Sequence, residues 1–143
     1  ARFLGIKNFF PATVVAASDG SIVADCPCLG HRTTLPGQAS VGKAIHLGIR
    51  SEAIQLLRGD EPLAEDDCLL RGKVRRIDMG ASVLMHFQRK GLPAPIEIML
   101  PRRMDDAPET KKDPPLVSIR LPTSDFFWVE DREHAQANVP CRI

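Results

Sequence analysis

The residues from Ala44 to Arg50 constrain the fold most, because Ile45, Leu47 and Ile49 alternate with His46, Gly48 and Arg50. Side chains of an extended chain point to opposite faces in turn, so this spacing predicts a half-buried β-strand with one apolar face. Ser51 and Glu52 follow, a pair suited to capping a single helical turn, before Ile54 and Leu56 resume an apolar rhythm. Val41 to Leu57 therefore predicts a strand that ends in a built corner.

The same period of two recurs along the chain. The runs TVVAA and SIVAD flank Ser18-Asp19-Gly20-Ser21, and Asp-Gly supplies the positive φ that tight hairpin turns require. Pro27, Gly30, Pro36 and Gly37 make the next segment loop, with one short edge strand over His31 to Leu35. Leu70 and Val74 share one face of a strand from Cys68 to Asp78, with Arg71, Lys73 and Arg75 on the other. Asp78 to Ala81 predicts a turn, and Val83, Met85 and Phe87 alternate in the return strand. Further strands are expected at Ile96 to Leu100 and Val117 to Leu121, and Phe126-Phe127-Trp128 forms a late aromatic cluster.

Twelve prolines and ten glycines in 143 residues, with few helical patterns, agree with many short strands, so the fold class is all-β. The length suits one compact domain or two small fused barrels. Arg58 to Asp67 is acidic and nearly free of apolar side chains, which places a linker and a boundary near Asp60. Arg102 to Pro115 reads as a charged mobile loop, and Glu130 to Ile143 as a polar tail. No apolar run approaches the roughly 20 residues of a membrane-spanning helix, and no secretory leader is visible, which predicts a cytoplasmic chain. Four cysteines, Cys26, Cys28, Cys68 and Cys141, fit reduced thiols better than a disulfide scaffold.

Nineteen basic and eighteen acidic side chains leave a net charge of +1, so an anionic partner would need a local patch. Arg71, Lys73 and Arg75, with Arg76, form one on a strand face; Arg102, Arg103, Lys111 and Lys112 add charge to the later loop. A solvated outer face explains such a stripe, and anion contact by Arg71, Lys73 and Arg75 is the functional alternative. Nucleic acid is not expected as a partner, because Phe87 is the only strand aromatic beside the stripe and the chain has no tyrosine.

Two motifs invite function and fail on context. Gly37 to Ala44 (GQASVGKA) comes within one residue of a phosphate-binding loop, but Ala44 lacks the magnesium-holding hydroxyl and a strand pattern, not a helix, follows. Cys26, Cys28 and His31, with His46, offer soft ligands at a spacing that matches no common zinc site. His86 and His134 have no nucleophile or paired carboxylate at a recognisable spacing, so no catalytic site, cofactor or metal is expected.

The order of four stretches, FLGIKNFFPATVV, GKAIHLGIRSEAIQLL, LLRGKVRRIDMGASVLMHFQ and VSIRLPTSDFFWV, resembles the C-terminal regulatory region, the TOBE domain, of ATP-binding subunits of bacterial ABC importers. Similar to that family are Phe3-Leu4-Gly5 with Asn8, the corner Gly48-Ile49-Arg50-Ser51-Glu52, and Leu121-Pro122 with Phe127-Trp128. Ser51 stands where the family usually has proline. The resemblance implies two interleaved OB-like barrels: residues 1–11 a connector from an ATPase domain before Ala1, 12–59 a first barrel half, 60–131 a TOBE barrel half, and 132–143 a tail. It also implies a non-enzymatic, homodimerising regulatory module at the cytoplasmic face of the plasma membrane, joined through its parent ATPase to permease subunits, with ATP and Mg held on that ATPase. Gly48, Ile49, Arg50, Ser51 and Glu52 would form its structural turn, with Arg50 locking the corner. Members that bind molybdate or a related oxyanion carry a motif of serine, arginine and asparagine that is not found here; a small oxyanion sensor (molybdate- or tungstate-like) is the alternative reading, and an OB-type nucleic-acid binder ranks behind it.

Overall fold

The computed structural model describes residues 7–57, 66–101 and 116–130. Most of the acidic linker, the loop Arg102 to Pro115 and the tail after Glu130 lie outside the described residues, as do Phe3 to Gly5. The described residues form ten strands in two five-stranded sheets. They divide into two compact units, one of Ala1–Asn8 with Ile49–Asp125 and the other of Phe9–Gly48 with Phe126–Ile143. The chain passes from one unit to the other at three points, so the two are interleaved in sequence.

The sheet of the Phe9–Gly48 unit contains β1 (Lys7–Ser18), β2 (Ser21–Cys26), β3 (His31–Pro36), β4 (Ala44–Arg50) and β10 (Phe127–Glu130), in the order β10-β4-β1-β2-β3. Residues 7–11, expected as part of a connector, are already strand, with Asn8, Phe10, Ala12 and Val14 buried at period two. Gly20 turns the β1–β2 hairpin with φ of +80°. The pairing shifts between Val14 and Ala16, a bulge that releases the last residues of β1 from the alternation. As expected, β3 lies at a sheet edge, and Pro36 closes it.

Gly37 and Gly42 adopt φ of +129° and +95°, and the chain then enters β4 directly at Ala44. The Gly42 and Val14 amides donate to the Val14 and Lys43 carbonyls at 2.7 and 3.0 Å, which fixes this approach against β1. GQASVGKA is thus a turn that feeds a strand. In β4, Ile45 and Leu47 are buried as the alternation requires, and Gly48 pairs with Phe127 of β10. The Phe127 ring occupies the space where a side chain at position 48 would project, with Cε2 only 2.6 Å from an ideal Cβ.

The other sheet contains β5 (Gln55–Leu56), β6 (Cys68–Met79), β7 (Ser82–Gln88), β8 (Ile96–Pro101) and β9 (Leu116–Leu121), in the order β5-β9-β6-β7-β8. Its ladders are antiparallel. Leu70, Val74, Phe87, Ile96, Ile98 and Ile119 face inward. Each large side chain removed from water in this way contributes about 1.5–3 kcal/mol before conformational entropy is subtracted. A single 3-10 turn, Ser51–Ala53, makes the expected corner and packs against β8. Ser51 does not cap it: the N-cap residue is Arg50, whose side chain makes no capping bond to the turn, and the buried Ser51 hydroxyl donates to Glu52 Oε1 at 3.4 Å. With its side chain enclosed, Ser51 is satisfied by its neighbour and not by the turn's amides.

Candidate functional site

The basic strand face is real, and its members differ in what surrounds them. Along β6, Leu69, Arg71, Lys73 and Arg75 are exposed while Cys68, Leu70, Gly72 and Val74 are buried. On the buried face Gly72 lets β7 approach closely, since a Cβ there would meet the Gln88 carbonyl at 2.5 Å and the Phe87 ring at 2.7 Å. Gln88 is thereby held directly opposite Lys73.

Arg71 Nη1 donates to Ser118 Oγ at 3.2 Å, which directs its side chain toward β9. Arg76 Nε donates to Asp78 Oδ1 at 2.9 Å and is screened by that carboxylate. Arg75 sits opposite His86, whose Nε2 lies 3.1 Å from Glu97 Oε2. Lys73 instead opens onto a groove of about 400 Å³ lined also by Gln88, Arg89, Lys90, Leu92, Pro93, Ala94 and Pro95. The structure thus separates the three predicted contacts: Lys73 lines the groove, and Arg71 and Arg75 do not.

The turn from Arg89 to Pro95 builds the other wall. Gly91 adopts φ of +99°, the Leu92 amide donates to the Arg89 carbonyl at 3.2 Å, and two prolines restrict the return to β8. Arg89 Nη1 donates to the Arg71 carbonyl at 3.0 Å, which orients the guanidinium while four of its five N–H donors remain outside that bond. Among the described residues, three cations and one amide border this groove and no carboxylate lines it. Lys supplies a compact charge and Arg a planar fork, a combination that suits an anion. Arg89 and Lys90 were missed in the sequence, although a basic pair beside a turn glycine, next to a basic strand, was the available signal.

The turn residues Gly48, Ile49, Arg50, Ser51 and Glu52 have structural surroundings. Gly48 and Ile49 are buried, Ser51 is buried within the 3-10 turn, and Arg50 and Glu52 are exposed. Two further ties went unrecognised. The Asn8 side chain accepts from the Glu97 amide at 2.8 Å and donates to the Glu97 carbonyl at 2.9 Å. Asp67 accepts from Arg120 Nε at 2.6 Å and from the Thr123 amide at 3.0 Å, which fastens the turn Thr123–Asp125 after Leu121-Pro122.

In the other unit, Cys26 Sγ and Cys28 Sγ are 3.7 Å apart, and burial pushes the Cys28 thiol above its ordinary range against the opposing effect of the Cys26 hydrogen bond. The His31 ring stacks on Phe126 with centroids 6.2 Å apart. Among the described residues, no group of three or more metal-ligating side chains converges. No helix among them is long and apolar enough to cross a membrane.

No family model matches the chain, and no curated relative matches it significantly. Among solved structures it is similar to ModG, a cytoplasmic molybdate-binding protein, in a form with molybdate bound. The TM-score is 0.66 at 15% identity, over 86% of this chain and 95% of that one. At that identity the likeness establishes architecture alone: the chain is all-β, with antiparallel sheets of OB-like architecture.

Proposed function

We propose that this chain is a non-catalytic module that binds a small oxyanion. The observation that carries the reading is the groove bordered by Lys73, Arg89 and Lys90, with no carboxylate among the described lining residues. Support comes from the OB-like architecture shared with a protein described as molybdate-binding. Lys73 and Gln88 approach from adjacent strands, and Arg89 and Lys90 from the turn that follows, so an anion there is gripped by elements of one unit. Arg71 and Arg75 add positive potential from the same strand face. The test is calorimetric titration with molybdate, tungstate, sulfate and phosphate. Saturable heat from at least one is expected, and none at millimolar ligand rejects the reading.

A second reading concerns context, and the Gly48 to Glu52 corner together with the Leu121-Pro122 turn favours it. In that reading the module belongs to the ATP-binding subunit of an ABC importer, dimerises with its twin, and contacts permeases through a parent ATPase that holds ATP and Mg at the inner face of the plasma membrane. Anion binding would then bias one dimer arrangement over another. Light scattering tests the dimer: a monomer at tens of micromolar, with and without anion, removes homodimerisation. Arg50→Ala is expected to weaken the corner and the dimer together.

A further inference from the structure

We infer that the Lys73 groove takes a small organic dianion of the phosphomonoester class in preference to a bare tetrahedral oxyanion; this rests on the reading of that groove as an anion site. The groove is larger than a bare oxyanion needs. A volume of about 400 Å³ is far more than one tetrahedral ion fills, and lies within the roughly 300–1,000 Å³ of sites that hold small organic ligands. A bare ion set against Lys73 leaves most of that space to water.

The lining is chemically of two kinds. Lys73, Gln88, Arg89 and Lys90 supply polar and charged groups to the lining, whereas the consecutive residues Leu92, Pro93, Ala94 and Pro95 supply an apolar stretch of wall. A fully hydrated oxyanion gains nothing from that wall. A ligand with an anionic head and a carbon body satisfies both, with the head paired to the cations and the body covering Leu92 and the prolines.

The groove is also preorganised. The Arg89 bond to the Arg71 carbonyl, the Leu92-to-Arg89 amide bond and the two prolines hold the wall in place before a ligand arrives, so little ordering opposes binding. A dianionic head suits three cations better than a single carboxylate does.

Calorimetric titration of the chain with phenyl phosphate, inorganic phosphate and molybdate tests this. Phenyl phosphate is expected to bind about tenfold more tightly than inorganic phosphate, the ratio that covering part of one ring would give. Leu92→Ser should bring the ratio of phenyl phosphate to inorganic phosphate affinity close to one, a readout that does not depend on the absolute affinity of either ligand. Lys73→Ala, at an exposed position that leaves the core intact, should weaken both ligands by a similar factor. Equal affinities for the two phosphates, or phenyl phosphate binding indifferent to Lys73→Ala, overturn the inference. Molybdate binding without phenyl phosphate binding also overturns it and leaves the oxyanion reading standing; binding of no anion overturns both.

Discussion

Asn8 and Glu97, 89 residues apart, are joined as two strands are: the Asn8 amide accepts the Glu97 N–H at 2.8 Å and donates to the Glu97 carbonyl at 2.9 Å. A side chain thus supplies to β8 the pair of bonds that a neighbouring backbone would. Asn8→Ala leaves both Glu97 groups without these partners, and two lost bonds at about 1 kcal/mol each, plus desolvation, predict a loss of about 2–3 kcal/mol. Urea unfolding measures it. A change below about 0.5 kcal/mol would show that water replaces the side chain at little cost.

Asp67 predicts a second weak point. Its side chain is 4% exposed and that of Arg120 21%, so removal of one partner leaves the other poorly solvated. Arg120→Ala and Asp67→Ala are each expected to cost about 3–5 kcal/mol, the range for breaking an enclosed pair. Asp67→Asn, which can still accept from the Thr123 amide, should cost less than Asp67→Ala. Equal losses would place the stabilisation in the ion pair alone.

Gly48 predicts a steric effect with a designed rescue. Gly48→Ala places a methyl group into the Phe127 ring and should destabilise by about 1–3 kcal/mol, as overpacking does. Phe127→Ala costs stability by itself but makes room, so the double variant should be more stable than the sum of the single losses. A double-mutant cycle gives the coupling, and additivity would contradict the packing described.

Cys28 predicts a pH dependence. Burial holds its thiol protonated to higher pH than a free cysteine, and the thiolate is the reactive form. Alkylation of the folded chain at Cys28 should therefore lag a free thiol near neutral pH and accelerate only as pH rises beyond the ordinary thiol range. Alkylation as fast as that of free cysteine would contradict the burial.

Alternation made much of the fold legible. Ile45-Leu47-Ile49, Val83-Met85-Phe87 and Ile96-Ile98 announce their strands because one face of each is enclosed, and the turn glycines Gly20 and Gly80 announce the hairpins. What stayed hidden depends on distant partners. The bulge at Val14 to Ala16 is defined only against β2. Asp67 reads as one more acid in a charged linker until Arg120 and Thr123 reach it, across 53 and 56 residues. The basic stripe was visible at Arg71, Lys73 and Arg75, but only the folded turn shows that Lys73 joins Arg89 and Lys90 while its neighbours do not.

That grouping of Lys73 with Arg89 is what a titration can test. The wild-type chain and a Lys73→Ala/Arg89→Ala double variant are titrated in parallel with molybdate and phosphate at low salt, where screening is weak. Saturable heat in the wild type is expected, weakened at least about tenfold in the variant, since hydrogen bonds to charged groups contribute about 1.5–3 kcal/mol each. No saturable heat at millimolar anion, or undiminished affinity in a folded double variant, would contradict the assignment of this groove as the anion site.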